Sequence, residues 1–160
     1  MTRLLVACAA SLAVVAAAGC GGSSKGAVVT GDGFSFSAPH GWPVARHPGQ
    51  VTVGNSNALV EVSTFRLARR YDPSLFDKVA GELTVRMAAV AAREGGKIDG
   101  TDVATAAGIK SHVWRLSVGS HTDEYTFVLV GQREFQLLCR RPTGGSDSAC
   151  KTLVSSFVLS

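Results

Sequence analysis

Between Ile109 and Cys139 three runs of alternating apolar and polar residues follow one another with almost nothing between them. Alternation of this kind sends every second side chain to the same face of a strand. In Ile109–Val118 one face carries His112, Trp114, Leu116 and Val118; Tyr125, Phe127 and Leu129 line one face of the next run, and Phe135, Leu137 and Cys139 one face of the third. The interruptions at Gly119-Ser120 and Gly131-Gln132 are short, so antiparallel hairpins are expected. A two-residue loop at Gly119-Ser120 sets Trp114 opposite Tyr125 and Arg115 opposite Glu124, whereas a four-residue loop pairs Trp114 with Phe127. Either register keeps the aromatic residues together. A chain with this segment has to build an antiparallel sheet.

The remaining elements fit around that sheet. Phe34, Phe36 and Ala38 alternate with serines and read as a strand, ended by the turn chemistry of Pro39-His40-Gly41-Trp42-Pro43. Val51-Thr52-Val53 and residues 58–65 read as two more strands, with Gly54-Asn55-Ser56-Asn57 as the turn between them. Asp72-Pro73 announces a helix, a capping carboxylate followed by proline in the first turn. Leu75, Phe76, Val79, Leu83, Met87 and Val90 form its apolar stripe; Lys78, Glu82 and Arg86 lie four apart and are expected to pair; Gly95-Gly96 stops it. Residues 97–103 are less clearly patterned and read as a strand approaching Ala106-Ala107-Gly108, residues 148–155 read as a short helix carrying Cys150, Leu153 and Val154, and Phe157-Val158-Leu159 closes the domain. The fold class is α+β, one domain with an antiparallel β-sheet flanked by helices and no internal repeat.

The first twenty residues are of another kind. Arg3 supplies a positive start, residues 4–18 are apolar apart from Ser11, and Ala17-Ala18-Gly19 leads directly to Cys20. The apolar run is short for a spanning helix, which needs roughly 20 residues, and suits a cleaved export signal. Ala17-Ala18-Gly19-Cys20 resembles the bacterial lipobox, with Ala where Leu is usual. Leu5-Val6-Ala7-Cys8 fits the four-residue pattern but has no hydrophobic segment ahead of it. The expected organisation is a lipoprotein signal peptide over residues 1–19, a flexible tether over 20–32 and the folded domain over 33–160. Cys20 is the lipidation site, carrying diacylglycerol and a palmitate-type acyl chain, and the domain stands on the extracytoplasmic face of the cell membrane. The competing reading is an ordinary secretory signal with an incidental cysteine.

Export fits the remaining cysteines. Cys8 leaves with the signal and Cys20 carries lipid, so Cys139 and Cys150 remain as a pair, expected to form a disulfide in an oxidising compartment. The loop between them contains Pro142, Gly144 and Gly145 and turns back readily. A metal site would need further ligands, and no CxxC or nearby histidine supplies them. The formal net charge of +4 is scattered, with small groups only at Arg66-Leu67-Ala68-Arg69-Arg70 and Arg140-Arg141; scattered charge is a solvated surface, and attraction to anionic headgroups suits it better than nucleic-acid binding.

A search for chemistry ends without a site. His40 and His47 flank Trp42 in a Pro/Gly-rich loop, His112 sits on the aromatic face as a satisfied histidine, and His121 is expected to be solvated near its turn. His121-x-Asp123-Glu124 fails as an acid–base group because strand geometry turns Glu124 away from Asp123. No Gly-x-Ser-x-Gly elbow appears, the Gly-x-Gly around Asp32 opens no helix, and Gly144-Gly145-Ser146-Asp147 reads as a loop and cap. No catalytic, metal or cofactor residue is assigned, and an enzyme is not expected.

Gly33-Phe34-Ser35-Phe36 leading into Pro39-His40-Gly41-Trp42, a late Gly108, and Cys150-x2-Leu153-x2-Ser156-Phe157 are together similar to the Mog1/PsbP-like family, nearest in look to its actinobacterial envelope lipoproteins. The resemblance spans about residues 30–160. It implies an antiparallel sheet sandwiched between helices and a protein that works by docking to other proteins, with no shared catalytic motif to carry over. The expected function is a membrane-anchored, non-catalytic docking or accessory module for another cell-envelope component. The alternative is a carrier of a lipid or small apolar ligand, motivated by Trp42, Trp114, Tyr125, Phe127 and Phe135 as lining of a cavity.

Overall fold

The computed structural model describes residues 26–160. Cys20 and the segment read as a signal peptide lie outside the described residues. The described chain opens with a hairpin of β1 (Ala27–Gly31) and β2 (Phe34–Ala38). It continues through β3 (Val44–His47), β4 (Gln50–Gly54) and β5 (Leu59–Arg66), then a 3-10 turn at Pro73–Leu75 running into helix α1 (Phe76–Arg93). Four long strands follow: β6 (Lys97–Ala106), β7 (Ile109–Val118), β8 (His121–Val130) and β9 (Arg133–Pro142). Helix α2 (Ser148–Ser156) and a short β10 (Val158–Leu159) complete it. The strands form a seven-stranded antiparallel sheet in the order β3-β4-β5-β9-β8-β7-β6 and a three-stranded one in the order β1-β2-β10.

The meander from β7 to β9 forms as its alternation requires, and in the tighter of the two registers. Trp114 pairs with Tyr125 and Arg115 with Glu124. Gly119 supplies the φ of 56° that the first position of a two-residue hairpin of the II′ kind demands. At the β6–β7 turn the same service falls to Ala107, the only non-glycine residue of positive φ (51°) among those described.

Each face of the large sheet is buried over part of its area, by different means. On one face Leu83, Met87 and Ala91 of α1 pack with Trp114, Leu116, Tyr125, Phe127 and Leu138. Burying side chains such as Leu83 and Met87 contributes roughly 2–3 kcal/mol each. On the other face Val60, Val62, Val128, Phe135 and Leu137 meet Phe34 and Phe36 of β2 with Leu153 and Phe157 from the C-terminal end. A disulfide joins Cys139 of β9 to Cys150 of α2, with Cα atoms 5.3 Å apart, and fixes that helix to the sheet.

Three expectations need correction. The tether does not extend to residue 32, because Ala27–Gly31 pairs with β2 along its whole length, from Ala27↔Ala38 to Gly31↔Phe34. The helices do not sandwich the sheet symmetrically: α1 lies on β6 and β7, while α2 shares the opposite face with the small sheet. Arg86 does not pair with Glu82; it reaches across to Glu134 on β9, where a buried carboxylate needs a cation far more than an exposed one does.

Helix α1 leaves the β4–β5 half of its face open, and the side chains there are polar. Gln50 and Thr52 donate to the Glu61 carboxylate at 2.7 and 2.8 Å, and Ser63 donates to it at 3.2 Å. A ladder of this sort satisfies a half-buried carboxylate without a covering helix.

Candidate functional site

Residues 67–75 lead from β5 to α1 as a strap across one end of the sheet. The Leu67 N–H donates to the Gln132 carbonyl at 2.9 Å and the Tyr71 N–H to the Gly131 carbonyl at 2.7 Å, which ties the strap to the β8–β9 turn. Asp72 caps the 3-10 turn at Pro73–Leu75, its carboxylate accepting from the Ser74 N–H at 2.9 Å. That backbone hydrogen bond holds the Asp72 carboxyl below the usual carboxylate range. Burial pushes the neighbouring Tyr71 phenol up, with Asp72 and Asp77 adding to the effect.

Two surface clefts flank this strap. One, of about 580 Å³, opens between the strap and α1 and has Leu67, Leu75, Val79, Leu83 and Leu129 among its lining. The Arg86–Glu134 pair also lines it. Glu134 is 4% exposed, and Arg86 donates to its two oxygens at 2.6 and 3.3 Å with the guanidinium 4.7 Å from the Phe127 ring centroid. The other cleft, about 400 Å³, lies between the strap and the β6–β7 turn and takes in Phe76, Ile109 and Val130. The two share Tyr71 and Leu129, so they form one groove divided by a tyrosine.

Charge around the molecule is unevenly paired. Arg93, Lys97, Arg115, Arg140 and Lys151 all hold carboxylates. Among the described residues Arg69, Arg70, Lys78 and Lys110, which line the groove, form no ion pair. Lys110 Nζ stands 4.2 Å from the centroid of the Phe76 ring.

Strand geometry places this groove at the end of the sheet toward which β1 runs from the point where the chain enters the domain. Ala27 pairs with Ala38, and beyond it Pro43, Gly54 and Ala58 interlock at the same end. Gly31–Phe34, Arg66–Arg133 and Ala106–Ile109 mark the other end, where the strap lies. Ten-residue strands make the large sheet roughly 30 Å long, and five-residue β1 sets Ala27 about 13 Å from the Gly31–Phe34 turn.

The residues singled out in the sequence fall elsewhere. Cys139 and Cys150 form the disulfide already described. His112 is 8% exposed, stacks on Phe76 at 3.7 Å and donates from Nε2 to the Phe76 carbonyl at 2.8 Å. His121 is not solvated as expected: it leans to within 3.7 Å of Asp123, which is 1% exposed and accepts from Nε and Nη2 of Arg140 at 2.8 and 2.7 Å. Glu124 lies on the opposite face, bonded to Arg115 at 2.9 Å. The five rings offered as a cavity lining do not come together. Trp114, Tyr125 and Phe127 belong to the α1 core, whereas Phe135 and Trp42 belong to the other. Among the described residues no three of His, Cys, Asp and Glu converge as metal ligands, and no helix is long and apolar enough to cross a membrane. The groove itself was absent from the sequence reading; the Arg66–Arg70 group was its one visible trace.

No family model and no curated protein matches the chain. Among solved structures it is similar to the solution structure of cyanobacterial PsbP (CyanoP) from Synechocystis sp. PCC 6803, with a TM-score of 0.63 and 16% identity over 91% of this chain and 98% of that one. The fold is PsbP-like. A crystal structure from Bacteroides thetaiotaomicron VPI-5482 aligns with 85% of this chain at 15% identity and a TM-score of 0.49, and the chain spans 48% of its length. At 16% identity the likeness to the cyanobacterial protein concerns architecture alone.

Proposed function

We propose that the protein is a lipid-anchored docking module of the bacterial cell envelope, of the kind found among actinobacterial lipoproteins, and that it acts without catalysis. In this reading residues 1–19 are removed, Cys20 carries diacylglycerol, and the domain stands on the extracytoplasmic face. The observation that supports it most is the placement of the groove. The first strand begins at Ala27, so an anchor at Cys20 lies no more than about 25 Å of extended chain from the domain. From chain entry β1 runs toward the end of the sheet where the open groove with its unpaired cations lies, so the tether leaves in the opposite direction. A module held this closely by one end presents the other end to whatever it meets.

The carrier alternative loses its motive, since the aromatic set invoked for it is divided between two packed cores. Affinity isolation from detergent-solubilised membranes tests the docking reading. It expects the same envelope protein to be recovered repeatedly; repeated recovery of none contradicts it.

A further inference from the structure

The lining of the groove defines what it would accept. Leu75 and Val79 offer apolar surface from the strap and α1, and Leu75 is 43% exposed. Tyr71 and Phe76 supply ring faces. Of the ionic groups in the lining, Arg86 and Glu134 neutralise each other. That leaves Arg69, Arg70, Lys78 and Lys110 against Glu82 in the lining, with Asp72 and Asp77 near Tyr71 as the other carboxylates. An apolar trough with a cationic rim complements a ligand that is apolar in part and acidic in part. Both clefts are open to the surface along the strap, a shape that suits a chain laid across it; a small amphiphile is normally enclosed on most of its surface.

We infer that the strap–helix groove binds an acidic, extended peptide segment of a partner protein, with apolar side chains seated in the two clefts on either side of Tyr71 and carboxylates facing Arg70 and Lys110. This rests on the docking reading and deepens it by naming the chemistry of the contact. At the tether end, by contrast, Arg93, Lys97, Arg140 and Lys151 have carboxylates of their own, and Arg141 donates to the Gly145 carbonyl. The charges of the groove are exposed, so screening weakens them steeply. Recognition by them therefore depends on salt.

The test uses the full processed chain, extracted from membranes and held in phosphatidylcholine nanodiscs. The probe is a fluorescein-labelled twelve-residue peptide in which aspartates alternate with leucine and phenylalanine, read by fluorescence anisotropy. A companion peptide carries lysine in place of aspartate, and dodecyl phosphate represents a small anionic amphiphile. The acidic peptide is expected to bind at least about tenfold more tightly than the lysine peptide, and to weaken about tenfold or more in Arg70→Glu/Lys110→Glu. It also weakens as salt rises from about 0.05 to 0.3 M, a readout that needs no variant. Arg93→Glu at the tether end leaves binding unchanged. Equal binding of the two peptides, unaltered binding by the charge-reversed variant, or binding of dodecyl phosphate with none of the acidic peptide overturns the inference. Recovery of an envelope partner in undiminished yield by the charge-reversed variant overturns the groove while leaving docking intact. Failure to recover any partner with the unaltered chain tells against docking instead.

Discussion

Removing the guanidinium of Arg140 should expose how the sheet tolerates a buried carboxylate near the β7–β8 turn. Asp123 is 1% exposed and accepts two hydrogen bonds from Arg140 at 2.8 and 2.7 Å. Arg140 is itself mostly covered, its side chain 22% exposed, and the Asp123 hydrogen bond raises its pKa. His121, at 3.7 Å, is too distant to replace those bonds. Arg140→Met keeps the packing of the stem and leaves the carboxylate buried without its partner, at a cost of about 3 kcal/mol. With a denaturant slope of about 1.5 kcal/mol/M, the urea midpoint should fall by about 2 M. Asp123→Leu in the same background removes the stranded charge and should recover most of that loss, since an apolar pair of similar volume often equals a buried ion pair. The double-mutant cycle should return a coupling of about 2–3 kcal/mol. A coupling below about 0.5 kcal/mol would refute the reasoning, because the pair would then be no better than one at the surface.

Three further outcomes follow from the same packing. Cys139→Ala/Cys150→Ala should cost roughly 3 kcal/mol by freeing the loop that the disulfide closes, and treating the unaltered protein with dithiothreitol under denaturing titration should give the same midpoint shift. Burial, then the nearby Asp123 charge, pushes the Tyr125 phenol up to about 12. The folded state thus keeps that proton between pH 10 and 12 while the unfolded chain releases it. Stability is therefore lost as pH rises through that window, by up to about 2.7 kcal/mol from this group. Absorbance at 295 nm should show one tyrosine of the folded protein ionising near 12, and two ionising near 10 would contradict it. Ala107→Gly should raise the urea midpoint by the equivalent of about 1 kcal/mol, because φ of 51° strains a side chain that glycine lacks.

What could be read from the sequence was set by how each segment is buried. The strands β7, β8 and β9 were legible because their alternation runs unbroken between glycine turns. The face of β9 was harder to assign, since Leu137, Leu138 and Cys139 are all buried and alternation means little where both faces are covered. β6 looked ambiguous because its register shifts between Ile98 and Gly100, and a bulge there sends one residue out of step. β1 passed for tether because only Val29 of its five residues is buried, and β3 passed for loop because all four of its residues are exposed. Asp72 and Pro73 announced the start of the helix correctly, but the 3-10 turn that they begin leaves α1 proper to start at Phe76. The groove depends on the strap being tied to Gly131 and Gln132, a contact between segments some sixty residues apart that no local pattern announces. Arg66, Arg69 and Arg70 could be seen as a group, yet whether a cation has a partner is decided by tertiary packing.

The intact mass of the protein extracted from native membranes bears most directly on the central claim. The lipid-anchored account expects a chain starting at Cys20 and heavier than its sequence by a diacylglycerol and any added acyl group, with the last two cysteines oxidised. A chain that still carries Met1 with an unmodified Cys20 would contradict it, and with it the envelope location on which docking depends.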